Sequence, residues 1–301
     1  MKIIVSGSSG LVGTALVDSL RPEGHIIARL VRSGSAATAD ATTKMIRWEP
    51  PTGSIDLAAM EGADAVVNLA GASVAGGRWT AARKDLLRRS RVDATRHLVT
   101  GLAQIKEKPR VLVSASAIGY YGDRGNEILT ETSAPRNDFL AQLCRDWEAE
   151  AAKAEHEGIR TVMLRFGIIL APHGGALQKM LGPFRLGVGG RMGNGRQWMS
   201  WITLEDVVAL IRYALEKDSV RGPVNTVTAN AVTNAEFTSI LAGVLHRPAL
   251  FPVPRFALRL ALGEMADALL ASQRVVPEKL NRIGYAFRHP QLKEALESVL
   301  A

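Results

Sequence analysis

Apolar positions along the chain arrive first as a run and then at helical spacing. Ile3 to Val5 read as a buried strand, and beyond Gly7, Gly10 and Gly13 the residues Leu16, Val17 and Leu20 recur on one face of a helix. Arg21-Pro22-Glu23-Gly24 breaks that helix, and His25 to Val31 supplies a second strand. After a small-residue polar loop from Ser35 to Thr43, Lys44 to Trp48 reads as a third strand, Ile55 to Met60 as a short helix and Ala65 to Asn68 as a fourth strand. Thr80 is placed to cap a long helix reaching about Lys106, followed by a fifth strand, Arg110 to Ser114, a helix from Asp138 to Glu157 and a sixth strand, Thr161 to Leu164. Strands alternating with helices predict an α/β protein, a doubly wound parallel sheet with helices on both faces.

The alternation then loosens. Leu186 to Gly195 is glycine-rich, Leu204 to Lys217 is an amphipathic helix, Val224 to Val227 a strand and Thr233 to His246 another helix. Pro248 to Pro254 reads as extended, and helical stretches around Phe256 to Leu270, Pro277 to Ile283 and Pro290 to Leu300 close the chain. No internal repeat and no long linker interrupts it. We expect a core over about residues 1–170, completed by parts of about 200–230, and a smaller α+β substrate lobe over the remainder, about 171–301.

Composition narrows the class. The chain has 301 residues, 47% hydrophobic and 22% charged, enough to bury a large core. One cysteine, Cys144, excludes a disulfide framework, and the absence of an apolar leader or a membrane-length apolar run leads us to expect a cytoplasmic protein. A net charge of +8 raises the question of nucleic acid. The densest basic stretch, Arg83, Lys84, Arg88, Arg89 and Arg91, has Asp85 and Asp93 among it and no interleaved aromatics, so it reads as a solvated helix face. The six histidines show no metal-ligand spacing; His173, in the Pro172–Gly175 loop, reads as ordinary surface. No metal, nucleic-acid or membrane partner is expected.

The strongest chemical signal is the opening strand–glycine turn–helix. Gly7 permits the turn, Gly10 lets backbone approach a pyrophosphate, and Gly13 lets helix and strand pack, with Ser8, Ser9, Leu11 and Val12 presenting the helix amino terminus to the phosphates. The second strand ends in Arg32-Ser33 where an NAD site would carry a carboxylate; a guanidinium pairs with a 2′-phosphate, so NADP is favoured over NAD. Small residues at Leu69-Ala70-Gly71 suit a loop under a dinucleotide. The cluster from Ser114 to Asp123 falls at a strand's carboxyl end, where Ser116 is placed to orient a substrate oxygen and Tyr120 or Tyr121 to move a proton.

With GSSGLVG, the Asp64–Gly71 run, Ser-x-Ser with Tyr-Gly, and the strand end Leu164-Arg165-Phe166-Gly167 in sequence, the chain resembles the extended short-chain dehydrogenase/reductases of nucleotide-sugar epimerase type. SASAIGYYGD, FRLGVGGRMGNGRQWMSWITLEDV, VPRFALRLALGEMAD and GYAFRHPQLKEAL resemble more narrowly an atypical epimerase-like subfamily with its own C-terminal domain, here about residues 248–297. The resemblance implies a Rossmann-type core and cofactor contacts from Ser114, Arg165, Phe166 and Gly167; Asn194, Arg196 and Trp198 sit where its members bind the substrate's nucleotide, with Trp201 beside them, and Arg78 either borders the same cleft or anchors the long helix that follows. The resemblance also implies a homodimer through the helices starting near Thr80 and Asp138. The superfamily's Tyr-x-x-x-Lys pair is missing: the corresponding helix reads Phe139-Leu140-Ala141-Gln142-Leu143, and Phe139 exchanges no proton while Leu143 holds no ribose hydroxyl. Two readings stay open, an NADP-dependent oxidoreductase or epimerase and a non-catalytic NADP(H)-sensing module.

Overall fold

The opening strand, β1 (Lys2–Ser6), lies inside the main sheet because both of its faces are apolar. Ile3 and Val5 pack on one side with Leu16, Val17 and Leu20 of α1 (Leu11–Leu20), whereas Ile4 packs on the other. The period of two thus divides one strand between two cores. The chain continues through β2 (Ile26–Val31), β3 (Thr43–Glu49), the short antiparallel β4 (Ser54–Ile55), α2 (Leu57–Met60) and β5 (Ala65–Asn68). The expected helix from Ile55 to Met60 is therefore a strand end followed by one turn capped by Asp56. This computed structural model describes residues 1–32 and 43–301, so Ser33 and most of the polar loop expected from Ser35 lie outside the described residues.

The long helix expected from Thr80 runs unbroken from Ala81 to Gln104 but changes pitch within it. Thr80 accepts a hydrogen bond from the Arg83 amide at the start of α3 (Ala81–Arg88), a π-helical turn spans Arg89–Asp93, and α4 (Ala94–Gln104) follows. The widened turn brings the Ser90 hydroxyl to the Ala72 amide, 3.1 Å, and so ties this helix to the loop after β5. Beyond it come β6 (Val111–Ala117), β7 (Ile128–Leu129), α5 (Phe139–Ala152, capped by Asp138) and β8 (Arg160–Phe166).

The second half adds β9 (Ile168–Leu170), α6 (Gly175–Arg185), β10 (Trp198–Met199), β11 (Trp201–Thr203), α7 (Leu204–Glu216), β12 (Gly222–Thr226), β13 (Val232–Thr233) and α8 (Asn234–Val244). α9 (Arg255–Leu262), α10 (Met265–Leu270), β14 (Arg274–Val275), α11 (Glu278–Arg282) and α12 (Leu292–Leu300) end the chain. β12 rejoins the main sheet, whose eight strands run β12-β8-β6-β5-β1-β2-β3-β4, all parallel except β4. This is the parallel α/β sheet expected from the alternation, of the Rossmann type that the resemblance implies. The order reverses between β1 and β5, so their carboxyl ends open the crevice in which such sheets take ligands. A further apolar core joins α6, α8 and α12 around Trp201 and Phe237, and Met265 of α10 packs on Trp79 and Trp147. Among the described residues no helix is long and apolar enough to cross a membrane.

Candidate functional site

At the reversal point the surface is backbone. Gly7 has φ +65°, and a Cβ there would come within 2.6 Å of the Leu69 carbonyl and 2.8 Å of the Ala70 nitrogen. A Cβ on Gly13 would overlap the Gly7 carbonyl oxygen and lie 2.7 Å from the Ser8 Cα. Gly10 precedes α1 as its cap and offers no side chain, so none caps the positive end of the helix. Ser8 is buried, Ser9 and Gly10 are exposed, and Leu11 and Val12 are half-buried. The cradle fits a pyrophosphate: it is main chain at an uncapped helix start and has no room for a side chain at Gly7 or Gly13.

Below it the Ser6 hydroxyl donates to Asn68 Oδ1, 2.7 Å, and accepts from the Leu69 and Ala70 amides at 3.2 and 3.3 Å. Asn68 Nδ2 donates to Thr95 and Ser114, and Thr95 also accepts from the Trp147 indole. Ser114 is therefore a buried brace with no exposed surface, which corrects its expected contact with the cofactor. Gly71 is exposed, and a Cβ there would come within 3.0 Å of the Arg91 guanidinium below it, so Arg91 props this loop. Arg32 is exposed at the end of β2.

The end of β6 is built from side chains. The Ser116 hydroxyl donates to Glu148 Oε1, 2.6 Å, and Arg165 clamps the same carboxylate through Nε and Nη2 at 2.8 and 2.7 Å. Arg165 Nη1 also donates to the Tyr121 oxygen, 2.8 Å, and that hydroxyl donates to Asn225 Oδ1, 2.6 Å. Burial opposes the charge on Arg165, but the Glu148 carboxylate outweighs it and raises the guanidinium pKa further. Its donors are taken up by protein groups, so Arg165 braces the network where a cofactor contact was expected. Tyr121 has no exposed surface, and burial pushes its phenol up to about 12. Tyr120 next to it is half-buried, with the Arg165 guanidinium carbon 3.6 Å from its ring centroid.

The face of α5 turned to this strand end presents Leu140 and Cys144, the neighbours a Cβ on Gly119 would meet, one position on from the expected Phe139 and Leu143. Burial pushes the Cys144 thiol up to about 12, so it supplies no thiolate. Glu148 follows one turn later on the same face. It was missed from sequence, although a carboxylate within the buried stripe Ala141, Cys144, Trp147 and Ala151 was a legible signal. Phe166 is half-buried, and Gly167 is structural: a Cβ there would meet the Ser200 carbonyl oxygen and Val227 at 2.6 Å.

Of the expected substrate residues, Asn194 and Arg196 line a hollow of about 560 Å³ together with Asn126, Arg255 and Ser272. Trp198 adjoins it, donating through its indole to Asn126 Oδ1, 3.0 Å, with the Arg274 guanidinium 4.3 Å from its ring. Arg78 is exposed beside Gly263, between α9 and α10. Trp201 is corrected: it is fully buried in the second core and its indole donates to the Asn230 carbonyl, so it has no surface for a substrate. A larger hollow, about 720 Å³, lies between α1, α7 and the chain's end and includes none of these residues.

Residues 3–227 match the model of the NAD dependent epimerase/dehydratase family, and residues 253–299 match a domain of unknown function, DUF1731. The chain is 41% identical over 295 residues to the epimerase family protein MT2273 of Mycobacterium tuberculosis, covering 98% of this chain and 96% of that protein. It is 38% identical to the epimerase family protein YfhF of Bacillus subtilis, over 100% and 98% of the two chains. The crystal structure of human epimerase family protein SDR39U1 (isoform 2) with NADPH superposes with a TM-score of 0.90 at 31% identity, covering 100% of this chain and 99% of that one. The glycine cradle, the sheet order and a match that continues through the C-terminal lobe converge: this chain belongs to the NAD dependent epimerase/dehydratase family, in the atypical short-chain dehydrogenase/reductase branch that carries the C-terminal extension.

Proposed function

We propose that the protein is an NADP(H)-dependent oxidoreductase or epimerase acting on a small polar substrate of carbonyl or sugar-nucleotide type. The reading is carried by the buried Glu148–Arg165 pair standing behind Ser116 and Tyr120 at the carboxyl end of β6. The backbone of Gly7 to Val12 holds the pyrophosphate, Leu69 to Gly71 pass beneath the dinucleotide and Arg32 pairs with its 2′-phosphate; the NADPH in the human relative supports that choice. The dinucleotide supplies the hydride donor or acceptor.

Ser116 donates its one O–H to Glu148 and is buried with it, so it acts as a positioning residue that fixes the Glu148–Arg165 pair behind Tyr120. Tyr120 moves the proton: among the described residues its hydroxyl has no protein partner, and the guanidinium against its ring offsets negative charge developing on its oxygen. Asn194, Arg196, Asn126 and Arg255 meet the anionic end of the substrate, with Trp198 and Arg78 at the border. The test follows reduced-cofactor absorbance over a panel of carbonyls and sugar nucleotides, with product analysis because an epimerase recycles its hydride. Tyr120→Phe is expected to lower turnover about 10²- to 10⁴-fold with unchanged melting temperature. Tyr121→Phe is expected to cost about 1–3 kcal/mol of stability, because it strips partners from Asn225 and Arg165. Full turnover in Tyr120→Phe removes the assignment.

One observation favours a second reading, a weakly catalytic or non-catalytic NADP(H)-sensing module. Leu140 and Cys144 face Gly119 where a proton-exchanging pair would stand, and neither titrates near neutrality. That reading predicts NADPH binding with no product from any member of the panel. A homodimer through α3, α4 and α5 is compatible with both.

A further inference from the structure

β2 runs between β1 and β3, where a parallel sheet covered on both faces is normally apolar. Its sequence, IIARLV, breaks that rule at Arg29. Arg29 pairs in register with Val5 of β1 and Met45 of β3, and it shares the parity of Ile27, on the α1 side of the sheet. A half-buried guanidinium at such a place costs free energy unless something answers it. Among the described residues no carboxylate does. The protein bond it makes runs from Nε to the Ser8 hydroxyl, 2.8 Å, inside the glycine turn. Both Nη groups are left without a protein partner among the described residues, and because Ser8 accepts from Arg29 its own O–H remains to be donated.

We propose that Arg29 is a second specificity-determining cation for the 2′-phosphate of the dinucleotide, held in place by Ser8 and acting with Arg32. This rests on the NADP(H) reading above. The end of the second strand is where this fold meets the adenine ribose, whereas the pyrophosphate is answered by the N–H groups at the start of α1. A guanidinium anchored at Nε keeps its outer N–H groups as a planar fork for a phosphate dianion. Arg32 is exposed at the strand's end and loses more freedom on binding; Arg29 is already fixed.

The test is calorimetric titration with adenosine 2′,5′-bisphosphate, adenosine 5′-monophosphate, NADPH and NADH. In Arg29→Leu the bisphosphate and NADPH are expected to weaken roughly 10- to 100-fold, while the monophosphate and NADH change less than about twofold. Arg29→Lys restores part of the loss, and Ser8→Ala gives a smaller loss of the same selectivity. Those two variants decide the matter if the leucine variant does not fold. Equal weakening of NADPH and NADH, or no weakening of either, overturns the inference and leaves the NADP(H) reading standing. A wild-type protein that binds none of the four ligands, or the phosphorylated and unphosphorylated pairs equally, overturns both.

Discussion

Where β1 ends, the surface is main chain: Gly7 against Leu69 and Ala70, Gly13 against Gly7, and a helix end without a side-chain cap. Where β6 ends, the surface presented by Tyr120 rests on side chains from four separate parts of the chain, Ser116 and Tyr121, Glu148, Arg165 and Asn225, joined by hydrogen bonds at 2.6 to 2.8 Å. The first surface is defined by atoms that must be absent, the second by atoms that must be present. One fails by addition and the other by subtraction, and that difference orders what mutation does to each.

The largest effect is expected on the backbone side. In Gly13→Ala the new methyl group overlaps the Gly7 carbonyl, so α1 and the turn must part. We expect dinucleotide binding to disappear in calorimetry while far-ultraviolet circular dichroism keeps most of its helical signal. Binding within about threefold of wild type would show that the turn relaxes freely, against the packing role glycine has at this position.

Next comes subtraction. Glu148→Gln removes the charge facing a guanidinium with 3% side-chain exposure. An uncompensated buried charge costs about 3–5 kcal/mol, read as a fall in the chemical-denaturation midpoint. Pairing it with Arg165→Met is expected to recover most of that loss, because the charge is then gone as well. Dinucleotide binding falls less than in Gly13→Ala. A single variant as stable as wild type would mean that water reaches the pair.

The same contrast decides what the sequence disclosed. The glycine turn was readable because its constraint is local: three glycines between a strand and a helix state the steric requirement outright. The sheet was readable from alternation, although β6 continues to Ala117, beyond the Ser114 expected as its end. Polar Ser116 fell beyond the strand expected to end at Ser114, yet both serines are buried in the sheet because Asn68 and Glu148 satisfy them. Glu148 and Arg165 lie 17 positions apart on different elements, and nothing local couples them. Trp201 misled for the opposite reason, since a large aromatic near a glycine-rich stretch suits a ligand edge and a lobe core equally. Arg29 passed as one residue of a strand because its partner, Ser8, belongs to a different segment.

A smaller effect separates the two surfaces without changing binding groups. Backbone does not titrate in the alkaline range, but the β6 network does. Tyr121 has an ordinary phenol value of 10.0 when exposed and about 12 in the fold, burial being the main cause. The folded state therefore favours the protonated phenol. Its contribution is fully present below pH 10 and is lost as pH rises through about 12, on the order of 3 kcal/mol in all. The Cys144 thiol and the Tyr285 phenol, also pushed up to about 12 by burial, add slopes of the same sign. Urea midpoints measured from pH 8 to 11.5 should fall in the wild type and fall less steeply in Tyr121→Phe, which starts lower but has one fewer buried proton to lose. Parallel curves would mean that the Tyr121 hydroxyl already titrates as if in water, and the closed network at the end of β6 would then have to be open to solvent.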